Sequence, residues 1–582
     1  MNRKFTIATT AAFIFFFVAL GVSEAARTVD RSQGARLANE ITRQFGPSAA
    51  YSKFYVGTDV CLACHSEYAG YKNSMHYSAF KRTDSDRYSL VDRKGVVADY
   101  NLNGIDDFKE GLDFNQISSG FDRYKPNAPI LGYNPQKGYT VKIGQIEYLT
   151  EFAYGGSGAY KQRYLTRIPV TDRSEGLSAG RYVLPIQFNE TYRRWVPYAA
   201  GNWYDANNQP IFGPSATSEL AATRGNNFDR GCSGCHFSGL AISKTPQGEY
   251  VAVAPTAIVT KPDDPHVFDY SGDGEMNEIT TGCERCHGPG SVHVITVGNP
   301  ARIINPRRDM TVKQMDNLCG SCHARGTSKG VGTFGFPIEE ETLRPAADAI
   351  GEDVFDKMFI ARPAVWAGTM EPAQHRQQIH EHRTSAHGNS RYGDIGCVTC
   401  HDVHNTVRSN IREAMIGRDA AGLPYTIMTK VQDNSACLVC HAGHGPFSEL
   451  KVTDLLDLQG SRDVIARVVS RHTYHSYRPE GPSGVSRCTE CHMSKMGSSG
   501  NPHDVPSHTF NVPPPANTIR AMANNGPGMP NGCSARCHKP LAIFFGLPPQ
   551  TNQGVWNTGA DRIQSEWLMQ FYGPNGLWWR RE

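Results

Sequence analysis

The 582-residue chain is short of several things that an ordinary globular protein of its size has. Only 39% of it is hydrophobic, while glycine and proline number 57 and 35, so the protein alone supplies a thin core. Some non-protein apolar surface is therefore expected, together with less regular secondary structure than usual. No basic stripe is present and the formal charge is only +3, which argues against nucleic-acid binding. After the first 25 residues no run is long and apolar enough to cross a bilayer. Most telling, no cysteine is spare, and none at all lies between 82 and 230.

All 16 cysteines fall in pairs followed directly by histidine. The pairs are Cys61/Cys64 with His65, Cys232/Cys235 with His236, Cys283/Cys286 with His287, and Cys319/Cys322 with His323. Then come Cys397/Cys400 with His401, Cys437/Cys440 with His441, Cys488/Cys491 with His492, and Cys533/Cys537 with His538. The last has one extra residue between its cysteines. Two thiols at this spacing add to the vinyl groups of one porphyrin edge, and the next imidazole turns under the ring to ligate iron. Zinc would use two pairs per ion and would not place a histidine after every pair. A disulfide framework would not demand that histidine either. Eight covalent c-type haems are the expected cofactors, and their propionates make the loaded protein more acidic than its sequence.

The N-terminus reads as a secretory signal over 1–25, with Arg3 and Lys4, an apolar run from Phe5 to Val22, and the cleavage site Ser23-Glu24-Ala25. Without cleavage the same run would be a membrane anchor. Removal leaves a mature chain starting at Ala26 with no membrane span, in a compartment where haem c is attached: the cell surface or beyond, or alternatively the periplasm.

Beyond the leader, 26–81 is a segment with the first haem, 82–230 a haem-free β-rich insert, 231–540 a heptahaem region, and 541–582 an aromatic tail. The insert is read from apolar/polar alternation in Tyr139–Leu149 and Arg181–Phe188, and its aromatic residues are taken as packing in preference to the alternative, a substrate site. The first haem, set apart by this insert, is expected to be an outlying connector. The tail, with Trp567, Trp578 and Trp579, either packs on the last haem or meets another subunit.

Eight of the 21 histidines are proximal ligands, leaving 13 for the opposite faces. The distal candidates are His76, His293, His387, His404, His444, His475 or His472, and His508. His404 and His444 follow a proximal histidine by three residues and cannot reach round their own ring, so each should ligate a neighbouring haem. His266, His375, His380, His382 and His503 are the surplus. Saturated bis-histidine iron relays electrons and offers no position to substrate.

Two loops carry calcium-like spacing. Asp99, Asn101, Asn103, Ile105, Asp107 and Glu110 occupy EF-hand positions with Gly104 at the sixth. Asp269, Ser271 and Asp273 begin a second, but Thr280 stands at its twelfth position.

The segments Gly282–His293, Gly396–His404 and Arg487–Met493 resemble the multihaem cytochromes c that include cytochrome c554 and the octahaem proteins. The resemblance covers the haem-bearing part well and the insert poorly. It implies short α-helices and loops wrapped around eight haems. One branch of that superfamily is catalytic, acting on hydroxylamine, nitrite or tetrathionate; its reductases commonly attach the catalytic haem through Cys-x-x-Cys-Lys, whereas every motif here ends in histidine. Another branch forms extracellular conductive filaments, which this chain resembles more. The expectation is therefore extracellular electron transfer through eight bis-histidine haems, with head-to-tail self-association and with other cytochromes or extracellular acceptors as redox partners. The alternatives are an octahaem oxidoreductase and a soluble periplasmic shuttle.

Overall fold

The computed structural model describes residues 31–83, 98–155, 160–254, 264–345, 350, 354–405, 410–419, 421–430, 433–481, 484–523, 528–539, 556 and 559–572. The leader and residues 573–582 lie outside this set. Among the described residues no helix is long and apolar enough to cross a membrane.

The haem-free insert is built on antiparallel strands. β2 (Ile130–Asn134), β3 (Gly138–Ile143) and β4 (Ile146–Leu149) form one three-stranded sheet. A second sheet has the order β1 (Phe80–Arg82), β5 (Phe152–Gly155), β6 (Lys161–Thr166), β7 (Tyr182–Asn189) and β8 (Arg194–Pro197). Side chains alternate between the two faces of a strand, and here each face has its own core. Ala153, Tyr164, Leu184 and Ile186 join Phe108, Phe114, Tyr139, Trp195 and Trp203 inside the insert. Phe152, Tyr154, Leu165 and Val183 face Phe80, Phe228, Phe237, Tyr270, Phe334 and Phe336, a cluster against which Cys232 and Cys235 pack. Each large apolar side chain so buried contributes about 1.5–3 kcal/mol. The second sheet is thus the wall of one haem motif.

The remainder is short helices linked by two-stranded ribbons. The N-terminal helix Arg31–Phe45 is amphipathic, and it buries Leu37 and Ile41 with Val56, Val60 and Val294. Helix Arg462–Thr473 likewise buries Ile465, Val468 and Val469 against Leu438, Val439 and Leu450.

Candidate metal centres

Each Cys-x-x-Cys-His run is a helical turn, because only a turn places both thiols along one edge with the histidine beneath. In the regular motifs the histidine N–H donates four residues back, from His65 to Cys61 O at 2.9 Å, His287 to Cys283 O at 3.1 Å and His401 to Cys397 O at 2.9 Å. The longer Cys533–His538 motif is a single π-helical turn, in which the His538 N–H reaches five residues back to Cys533 O at 3.3 Å. The π turn absorbs the extra residue and leaves His538 adjacent to its second thiol. No disulfide joins any of the 16 cysteines.

Seven of the eight motif histidines face another histidine. Ring centres are 6.3 Å apart for His65–His293, 6.2 Å for His76–His323, 6.1 Å for His287–His404 and 5.9 Å for His387–His441. They are 6.3 Å apart for His401–His508, 6.3 Å for His472–His492 and 6.1 Å for His475–His538. Metal–imidazole bonds of about 2 Å put two opposed ligand nitrogens about 4 Å apart and their ring centres roughly 6 Å apart. These seven gaps therefore fit one iron each, held between a motif histidine and a second imidazole. Both His472 and His475 have such a place, on different motifs.

The imidazoles are also prepared as ligands. The Nδ1 atoms of His287, His293 and His492 lie 2.8, 2.9 and 3.0 Å from the carbonyls of Ile304, Asn299 and Phe510, and Nδ1 of His475 pairs with Thr473 O. An Nδ1–H donated this way leaves Nε2 with its lone pair toward the gap and fixes the ring's orientation. Burial holds His76, His236 and His538 down to about 4 and His508 to about 3, so their rings stay neutral.

Side chains within or beside the motifs bind one to the next. The backbone N–H groups of Val56, Gly57 and Gly290 donate to the Glu284 carboxyl at 2.9, 2.8 and 2.7 Å, tying the Cys61 segment to the Cys283 motif. Glu278 accepts from both the N–H and the hydroxyl of Thr58 at 2.5 Å. Burial pushes both carboxyls up to about 7. Arg285 donates to Gly234 O at 3.2 Å and Ser321 Oγ at 2.9 Å, and lies 3.6 Å from Cys322 Sγ. Three motifs meet at this guanidinium. The helix Val312–His323 starts with a capping box of Thr311 and Gln314, and its Asp316 accepts the Cys397 N–H at 2.8 Å. Asn434 links the next pair, accepting from the Cys488 N–H at 3.0 Å one residue before the helix Ser435–His441. Glu381 accepts the N–H of His508 at 2.7 Å.

Several expectations meet a different arrangement. Cys64 and Cys537 lie on the turns of their own motifs. Cys64 does not stand in an outlying segment: Glu284 and Glu278 dock its motif against the Cys283 motif. Its half-buried Sγ lies 3.7 Å from where a Cβ on Gly34 would sit, so the N-terminal helix closes over it. Cys537 does not sit on the helical turn of the other second thiols but on the π turn, half-buried. Its motif abuts the preceding one at Gly532, where a Cβ would lie 3.4 Å from Cys491 O.

Among the described residues His444 faces no motif histidine, because it is exposed between Gly443 and Gly445, whose φ angles of 79° and 50° turn the chain outward. His236 has no histidine opposite it there either; its ring neighbours are Tyr154 at 5.5 Å, Phe228 at 5.8 Å and Phe80 at 6.3 Å. Among the surplus, His503 lies between Trp366 and Trp556, His266 against Tyr77, His380 near Phe355, and His382 has 3.9 Å to Asp316. Nε2 of His375 lies 3.3 Å from Lys161 Nζ and its Nδ1 3.1 Å from Ser498 O. In the tail, Trp567 packs on His538 at 5.9 Å.

Neither calcium-like loop gathers its ligands, and among the described residues no group of three acidic, histidine or cysteine side chains is placed to hold an ion. Asp99 and Asn103 accept backbone N–H groups of their own loop, Arg193 lies 3.4 Å from Asp99, and Asn103 donates to Glu110. Asn101 accepts the Asn103 N–H, while Asp107 turns inward and accepts from Trp195 Nε1 at 2.7 Å. Asp269 and Asp273 accept N–H groups of Gly274 and Glu275, and Ser271 lies between them.

No family model and no curated protein matches the chain. Two solved structures are similar to it. One is the outer cell wall cytochrome OcwA, at 16% identity and a TM-score of 0.42, covering 86% of this chain and 85% of that one. The other is an undecahaem cytochrome from the S-layer of Carboxydothermus ferrireducens, at 14% identity and a TM-score of 0.35, covering 91% of this chain and 71% of that one.

Proposed function

We propose that the chain is an extracellular or cell-surface electron-transfer protein carrying eight covalent haems c. The carrying observation is the set of seven histidine pairs at iron-spanning distance, each joining a Cys-x-x-Cys-His motif to a histidine elsewhere in the chain. Haem, when bound, supplies the redox chemistry; the thiols anchor it, the paired imidazoles hold its iron, and the buried carboxyls and guanidinium hold neighbouring motifs together. Contacts between motifs run from Cys61 to Cys283, on to Cys319 and Cys397, through the packing of Cys400 with Leu438 and Val439 to Cys437, then to Cys488 and, at Gly532, to the Cys533 motif, with the Cys232 motif joining at Ser321 and Arg285. Close motifs mean close porphyrins, and close porphyrins exchange electrons.

The series has one end at Cys61 and another at Cys533, which supports head-to-tail self-association that extends the path, since a heterologous contact stays open unless its rotation closes a ring. Electron microscopy of material shed by cells tests this part. Filaments with a regular repeat are expected, and only discrete particles would refute assembly. Pyridine haemochrome quantification against protein tests the cofactor, with eight haems per chain expected.

A further inference from the structure

Arg285 stands between the two cysteines of the Cys283 motif, and its side chain runs out of that motif to two others. It is only 3% exposed. Its Nη2 donates to Gly234 O at 3.2 Å, inside the Cys232 motif, and to Ser321 Oγ at 2.9 Å, inside the Cys319 motif, and lies 3.6 Å from Cys322 Sγ. The two partner motifs touch each other at the same point, where Cys235 Sγ is 3.9 Å from Ser321 O and Cys322 Sγ is 3.9 Å from Cys235 O. Packing there is close. A Cβ on Gly234 would run into the Phe336 ring, and the Ser321 hydroxyl is itself held by Leu318 O at 2.7 Å.

A guanidinium keeps its proton inside a protein, so this charge is permanent. Its acceptors are a carbonyl and a hydroxyl, both neutral, and the cysteine sulfurs are neutral too once they are thioethers. The adjacent carboxyl of Glu284 is taken up by the N–H groups of Val56, Gly57 and Gly290, and that of Glu278 by Thr58. The sulfurs mark the vinyl-derived edge of each porphyrin, and the propionates leave from the opposite edge. Haems on Cys235 and Cys322 therefore carry their own carboxylates away from Arg285. Ferric haem has one positive charge more than ferrous haem, so a fixed cation at the ring edge favours the reduced form.

We propose that Arg285 is a potential-setting residue, whose charge raises the reduction potentials of the haems of the Cys232, Cys283 and Cys319 motifs so that electrons collect where these motifs meet. A unit charge about one porphyrin radius from iron, acting through an effective dielectric of about 20, shifts a one-electron equilibrium on the order of tenfold, or about 59 mV. Burial keeps salt from screening it. The place is also the fork of the series, because the Cys232 motif joins the others through Arg285 and Ser321. An electron is then held at the fork, within reach of both branches.

This inference rests on the haem reading above, and the experiment separates the two. Protein with a measured haem count is reduced stepwise in a potentiometric titration followed by haem absorbance. Arg285→Gln is expected to move about three-eighths of the reduction amplitude, three haems in eight, to lower potential by on the order of tenfold in the equilibrium constant. Arg285→Lys keeps the charge and should leave that share in place. Ser321→Asp sets a carboxylate against the guanidinium and should lower the same share, which decides the matter if the glutamine variant does not load its haems. Arg462→Gln, in an exposed pair with Glu480, should change nothing. An unmoved titration in Arg285→Gln, or in Ser321→Asp where that variant decides, overturns the inference and leaves electron transfer standing. Equal shifts in Arg285→Gln and Arg285→Lys overturn it as well, since packing and not charge would then set the potentials. A haem count near zero in the unaltered protein overturns the haem reading itself.

Discussion

The assignment of His404 is the sharpest place to test how the histidines are shared. It follows His401 by three residues, yet its ring faces His287 at 6.1 Å and 24°, while His401 faces His508 at 6.3 Å. Each ligand removed from a bis-histidine iron leaves that iron high-spin, which adds one haem in eight, about an eighth of the iron, to the high-spin signal. His404→Ala and His508→Ala should each add that eighth. The double variant should add two, because the irons served are different. Integrated electron paramagnetic resonance of the ferric protein, normalised to haem content, measures this directly. If His404 instead served its own motif, both changes would vacate one iron, and a double variant showing a single added eighth would refute the pairing.

Other consequences can be measured independently. Glu284→Ala orphans the buried N–H groups of Val56, Gly57 and Gly290, at about 1–3 kcal/mol each, so the urea midpoint should drop and amide exchange should quicken first around the Cys61 motif. Asp561→Ala removes the carboxylate 2.6 Å from buried Lys539, a loss of about 3–5 kcal/mol, and limited proteolysis should then cut within the helix Gly559–Met569 before the rest of the chain. Stability should be greatest between about pH 5 and 7. His76, His236, His508 and His538 hold no second proton in the fold, being buried and, in the proposed reading, on iron, while those that unfolding frees take one up near 6.5, so stability falls as pH drops below about 6.5. Glu278, Glu284 and Glu381, raised to about 7, 7 and 8, stay protonated in the fold while the unfolded chain ionises near 4.5, so stability also falls as pH rises from about 4.5 toward 8. Urea titrations across this range would show a dome, and a steady rise up to pH 9 would contradict the burial of the three carboxyls.

What could be read from the sequence divides by how local the chemistry is. Attachment needs two thiols and an imidazole on one turn, so those residues are contiguous and visible without a fold; even the longer Cys533 motif is legible, although the π turn that carries Cys537 is not. Alternation in Tyr139–Leu149 marks the hairpin β3–β4, because a half-buried strand must alternate. The place of Cys64 beneath the N-terminal helix depends on packing that spacing cannot show. The pairing of histidines is set by long-range packing too: His293 faces His65, 228 residues earlier, where Glu284 docks the two segments. His444 shares the spacing of His404, but the glycines on both sides turn it to solvent.

The most direct test of the account is a density map of the haem-loaded protein purified from its source. It should show iron between the rings of each of the seven histidine pairs, and an eighth iron bound by His236 on one side only. Iron absent from those gaps, or rings exchanged among the pairs, would contradict it.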